Sequence, residues 1–165
     1  MEDKNETEAC AAAMQVSEML HQNGWTMATA ESCTGGNIAH HITLIPGSST
    51  IFNGGVVSYT NEVKHNVLGV SQQLLDQYGA VSQPVAEQMA QGAVRVMRST
   101  LAVSTTGVAG PTGGTPENPV GTVWMAASDG LHTISNCCHF EGTRAQIIEK
   151  ATETAFFLLF KLVGK

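Results

Sequence analysis

Positive charge is scarce in this chain: eight lysines and arginines stand among 165 residues, and the formal net charge is -6. A nucleic-acid binder usually carries a basic stripe, and none is visible, so that class is set aside. No apolar run reaches the length that spans a bilayer. The opening residues, MEDKNETEAC, lack the basic flank and apolar centre of a secretory leader. Both absences predict a cytoplasmic protein with no membrane partner. The four cysteines, Cys10, Cys33, Cys137 and Cys138, fit neither zinc spacing nor a disulfide framework. They predict reduced thiols and no metal. Nucleotide fingerprints are missing too. No G-x-G-x-x-G follows the first strand, ESCTGG lacks the ending of a P-loop, and no G-x-S-x-G elbow is present. Tyr59 and Lys64 are five apart, which is the wrong spacing for a short-chain dehydrogenase. No cofactor is expected.

What is present suits one folded unit over residues 1–165. Hydrophobic residues make up 42% of the chain, enough for a core at this length. Ala13, Val16 and Leu20 recur at helical spacing and predict a first helix over 7–22, stopped at Asn23-Gly24. TMATA (26–30) reads as a strand. Gly35-Gly36 opens a helix carrying Ile38, Ile42 and Ile45, ended by Pro46-Gly47. Residues 49–59 read as extended, interrupted at Asn53-Gly54-Gly55. Asn61 is placed as the cap of a short helix containing Lys64, and another helix covers 71–79. Pro84 suits the first turn of a longer helix. LAVSTTG (101–107) reads as a buried strand, followed by a Gly/Pro loop. TVWMAAS and HTISNCCHF are two strands around Asp129-Gly130, which sets Cys137 and Cys138 on opposite faces. Thr143 and Gln146 have capping-box spacing and start a final helix. Alternating strands and helices followed by two adjacent strands predict an α/β fold: a mixed sheet with helices on both faces.

Ligands gather at the carboxyl ends of strands in such sheets. Three polar loops follow predicted strands there: Glu31–Gly36, Tyr59–Lys64 and Thr105–Gly114. Ser32, in a strand-to-helix turn, reads either as a nucleophile or as a helix cap. None of the six histidines has an obvious acidic partner. Lys64 is the alternative base, the only non-histidine basic residue between Asn5 and Val94. Bringing a lysine from about 10.4 to about 7–8 takes about 3–5 kcal/mol, which burial can supply. The other reading of Lys64 is a solvated helix residue. Arg144, alone between Ser99 and Glu149, opposes the dipole of the last helix. It reads either as an anion ligand or as a solvent-facing side chain.

Taken in order, TAESCTGG (29–36), PGSS (46–49), GGVVSYTNEVK (54–64), GAVSQPV (79–85), TGVAGPTGGTPENPVGTVW (106–124) and GTR (142–144) resemble the CinA C-terminal-domain family of nicotinamide-nucleotide amidases. The resemblance covers nearly the whole chain. It implies a three-layer α/β/α sandwich, commonly dimeric, that deamidates nicotinamide mononucleotide to nicotinate mononucleotide and ammonia without metal or cofactor. It implies Ser32 as nucleophile and Lys64 as general base. Thr34, Gly35, Gly36, Tyr59, Thr106, Gly107 and Arg144 are then expected around the pyridine nucleotide. The N–H groups that open the helix after Gly36 are inferred to stabilise the oxyanion. Thr143 and Ile148-Glu149 depart from the family's usual G-D-R and following arginine, which predicts weak phosphate anchoring. A nucleotide-binding module without turnover is the competing class.

Overall fold

The computed structural model describes residues 7–164. Its elements run α1 (Glu8–Asn23), β1 (Met27–Glu31), α2 (Asn37–Thr43), β2 (Phe52–Val57), α3 (Asn61–Asn66), α4 (Gln72–Tyr78), α5 (Gln83–Met97), β3 (Leu101–Gly107), β4 (Thr122–Ser128), β5 (Thr133–His139) and α6 (Arg144–Val163). One sheet has the order β2-β1-β3-β4-β5. β1 is parallel to β2 and β3, whereas β4 and β5 run antiparallel to their neighbours. The mixed sheet read from the sequence is therefore the one that forms.

Period-two alternation divides the core into two layers. Met27, Leu101, Val103, Val123 and Met125 face one side, where they meet Val16 and Leu20 of α1, Ile38 and Ile42 of α2, and Ile147, Ala155 and Phe156 of α6. Ala28, Ala30 and Ala102 face the other side with Val85, Met89 and Ala93 of α5 and with Leu68, Val70 and Leu75. The result is a three-layer α/β/α sandwich. Small strand residues on the second face let α5 sit close. Gly92 of α5 makes a separate close approach: a Cβ there would collide with the carbonyl oxygen of Leu68, in the segment after α3. That carbonyl also accepts a 2.8 Å hydrogen bond from Arg95, so it cannot retreat freely. Gly92→Ala is therefore expected to destabilise by about 1–3 kcal/mol through overpacking. Alanine's helix advantage of about 1 kcal/mol only partly offsets this. A urea midpoint at or above wild type would contradict it.

The local chemistry explains most boundaries. α1 starts at Thr7, whose side chain accepts from the Cys10 N–H, and stops at Gly24 in the left-handed conformation. Pro84 lies in the first turn of α5. Thr143 and Gln146 form the complete capping box of α6. Three expectations need correction. Thr60, not Asn61, caps α3, because its hydroxyl reaches the Val63 N–H. Asn53-Gly54-Gly55 does not interrupt β2. The pairing shifts register between Met27/Phe52 and Ala28/Gly54, so Asn53 bulges and donates to the Met97 and Arg98 carbonyls. Ser48–Thr50 is a short 3-10 turn rather than extended chain.

Candidate active site

The parallel strands β1, β2 and β3 deliver their carboxyl ends to one edge, and the three polar loops meet there. β5 runs in the same direction as β3, so it delivers the start of α6, with Arg144, to that edge as well. A cleft of about 320 Å³ opens among them, lined by Ser32, Tyr59, Lys64, Thr106, Gly107 and Arg144, with Cys33, Asn61 and the 108–113 loop completing its wall.

Lys64 is the least expected feature. It lies on the inner side of α3 and is only 1% exposed. Among the described residues, no carboxylate forms an ion pair with its ammonium. Lys64 Nζ donates to Ser58 O at 2.7 Å and lies 3.0 Å from Ser32 Oγ. Burial without a counter-ion disfavours the charged form, and it lowers the Lys64 pKa from 10.5 to about 8. A sizeable neutral fraction is therefore present near pH 7–8, with a lone pair able to take the Ser32 proton. The solvated-lysine reading is excluded by this burial.

Ser32 does not cap α2. Gly36 holds the cap position, and it does so without a side-chain bond. The Ser32 N–H is fixed on the Thr105 carbonyl at 2.9 Å, and its own carbonyl accepts from Gly35 at 3.0 Å. The turn is thus pinned to β3 while the hydroxyl points at Lys64. Cys33, next in the chain, is also buried. Burial pushes its thiol up to about 11, so it stays protonated and is no competing nucleophile.

The cap of α2 comes instead from Glu31, which the sequence reading placed in a polar loop and gave no role. Glu31 is 1% exposed at the end of β1. Its carboxylate accepts from the Ile38 and Ala39 N–H groups and from the Thr34 hydroxyl. The Thr105 hydroxyl in turn donates to Thr34, 2.7 Å away. Thr34 is thereby committed beneath the cleft, and Gly35 and Gly36 lie outside its lining. This overturns the expectation that the opening N–H groups of α2 await an oxyanion. Ile38 and Ala39 already serve Glu31, and Asn37 donates to the Thr34 carbonyl.

Thr106 lines the cleft while donating its hydroxyl to the Ala80 carbonyl at 2.8 Å. Arg144 donates to the Gly110 carbonyl at 2.7 Å and to the Tyr59 hydroxyl at 3.0 Å. These bonds hold the guanidinium across the cleft mouth and tie Tyr59 to it. Thr143 is occupied by the capping box, and Ile148 is half-buried against the main core. Histidine pairing was also missed. His41 meets Glu149 at 3.3 Å, outside the cleft lining, and His132 meets Asp129 on the surface.

The fold and the cleft together define an α/β/α sandwich with a buried lysine–serine pair at the carboxyl edge of its parallel strands. Comparison with known proteins gives that class a family. The CinA C-terminal domain model matches residues 9–163, and the chain belongs to that family. It is 44% identical over 160 residues to the nicotinamide-nucleotide amidohydrolase PncC of Escherichia coli, covering 94% of this chain and 95% of that one. It is also 44% identical to a CinA-like protein of Syntrophobacter fumaroxidans over 90% of this chain, but spans only 35% of that longer relative. A competence/damage-inducible protein of Agrobacterium tumefaciens superposes with a TM-score of 0.91 at 37% identity, covering 94% of this chain and 96% of that one. A CinA-superfamily structure from Escherichia coli gives 0.89 at 31% identity, covering 98% and 94%. Among the described residues, no helix is long and apolar enough to cross a membrane.

Proposed function

We propose that this chain is an amidohydrolase that converts nicotinamide mononucleotide to nicotinate mononucleotide and ammonia, with Ser32 as nucleophile and Lys64 as base. The observation that carries the reading is the buried Lys64 Nζ, 3.0 Å from Ser32 Oγ and without an acidic partner among the described residues. The name of the Escherichia coli relative supports the substrate. Neutral Lys64 accepts the Ser32 proton as Oγ bonds to the carboxamide carbon. The resulting ammonium then gives that proton to the departing nitrogen, so ammonia leaves and an ester to Ser32 remains. Lys64, neutral again, takes a proton from water, which attacks the ester carbon. Ser32 Oγ leaves with the proton returned, and the carboxylic acid is released. The Cys33 N–H, beside the nucleophile and without an acceptor among the described hydrogen bonds, is the donor assigned to the oxyanion.

Arg144 is proposed to hold the phosphate. Its bonds to Gly110 and Tyr59 use two of five guanidinium donors and leave the rest free. Arg144→Met is expected to raise KM for nicotinamide mononucleotide roughly 10- to 150-fold, the worth of a charged hydrogen bond. Turnover of nicotinamide riboside, which has no phosphate, should change far less. Equal losses on both substrates would remove the phosphate role. The product test is chromatography: nicotinate mononucleotide and ammonia should appear in equal amounts.

A second reading, nucleotide binding without turnover, draws on Thr143 and Ile148. With these two committed to the helix cap and to apolar packing, Arg144 is the one cation on α6 assigned to the phosphate, and weak nucleotide binding is expected. Thr143→Asp should be accepted by the fold, since aspartate also caps helices. Ile148→Arg should lower the melting temperature, because it sets a cation against the main core where Ile148 is half-buried. An unchanged melting temperature in Ile148→Arg would contradict this packing.

A further inference from the structure

Away from the cleft, α1, α2 and α6 bring together three groups that the proposed chemistry does not use. Cys10 Sγ, in the first turn of α1, lies 3.3 Å from His41 Nδ1 on α2. His41 Nε2 lies 3.3 Å from Glu149 Oε1 on α6. His41 is 6% exposed, whereas Cys10 is half-buried and reachable. The hydrogen bonds fix the tautomer. A carboxylate only accepts, so Nε2 carries the hydrogen and Nδ1 turns its lone pair toward the thiol. Asn37 donates to the same Glu149 oxygen at 2.9 Å and to Thr152 at 2.8 Å, which holds the carboxylate in place. Glu149 Oε2 is buried with no partner among the described residues, and its charge is available to an imidazolium. The Thr7 hydroxyl donates to Sγ at 3.3 Å.

We infer that Cys10, His41 and Glu149 form a second reactive centre, a thiol modification site that takes low-molecular-weight disulfides. His41 Nδ1 accepts the thiol proton, and the Cys10 thiolate attacks one sulfur of the disulfide. The old S–S bond breaks as a new one to Cys10 forms. The departing thiolate takes the proton from His41. Cys10 is oxidised and the small disulfide reduced, with no other reactant. The three remaining cysteines lack this arrangement. Cys33 is buried, and Cys137 and Cys138 on β5 have their thiols raised by burial.

The test is a time course of the folded protein with oxidised glutathione at pH 7.5, read by peptide mass spectrometry. Cys10 should gain the glutathionyl adduct first, about tenfold or more ahead of Cys137 and Cys138. His41→Gln should slow Cys10 by a similar factor and leave Cys137 and Cys138 unchanged, and Glu149→Gln should slow it less. Should His41→Gln fail to fold, the order of modification in the wild type still decides. Earlier modification of Cys137 or Cys138, or an unchanged Cys10 rate in a folded His41→Gln, would overturn the site.

Discussion

Ser32→Ala should abolish ammonia release from nicotinamide mononucleotide, with a loss of at least about 10,000-fold, and leave the fold intact. The size follows from the kind of role proposed. A nucleophile that forms a covalent intermediate has no substitute in the cleft, and removing one member of such a pair costs nearly as much as removing all. Cys33 cannot replace it, since burial keeps that thiol protonated. The fold should survive because the Ser32 hydroxyl caps no helix. Its hydrogen bond runs to Lys64, which keeps its 2.7 Å bond to the Ser58 carbonyl in the variant. The backbone bonds that pin the turn, from Ser32 N to Thr105 O and from Gly35 N to Ser32 O, are untouched. The check is paired: an ammonia assay and a thermal melt on the same preparation. Near-normal turnover would remove Ser32 from the chemistry, and a collapsed melt would show a structural role instead.

Lys64→Met is expected to lose roughly 1,000- to 10,000-fold in kcat, the scale of a general base that also activates the nucleophile. It should not lose stability. Methionine fills similar space, and replacing a buried charge by an apolar side chain is often neutral or stabilising. Lys64→Arg should be equally inactive, because a guanidinium does not deprotonate. The pH dependence of stability separates burial from accident. Lys64 has a pKa of about 8 in the folded protein and 10.5 ordinarily. Below about pH 8 both states hold the proton, and the penalty of burying the ammonium is fully present. Between about pH 8 and 10.5 the unfolded chain binds more protons than the folded one, so this group's contribution to stability rises with pH. Denaturant titrations of wild type and Lys64→Met should therefore show the wild type gaining on the variant across that window. Parallel curves would mean that Lys64 is not buried as described.

Much of this was legible in the chain. Pro84 in the first turn of α5 and the Thr143/Gln146 capping box are local signals, complete within four residues, and they form as read. The convergence of the three polar loops was legible because strand direction alone sets it. Lys64 was singled out by isolation, although isolation did not say that it would be buried. What escaped depends on contacts distant in sequence or on unusual burial. Glu31 read as a loop residue because carboxylates are rarely buried. Only the return of α2 onto it supplies the N–H groups that make a 1% exposed carboxylate tolerable. That same return removed the oxyanion donors expected from α2. The link from His41 to Glu149 joins α2 to α6 across most of the chain, and no local pattern encodes it. Asn53-Gly54-Gly55 carried a turn signal, and the parallel pairing with β1 absorbed it as a bulge.

The most direct test of the central claim is the rate of ammonia release from nicotinamide mononucleotide by the wild-type protein between pH 6 and pH 9.5. If buried Lys64 is the base that activates Ser32, kcat/KM should rise with pH and level off above about 8, as Lys64 loses its proton. A folded protein that binds the nucleotide but releases no ammonia, or one whose rate is flat or falls across that range, would contradict it.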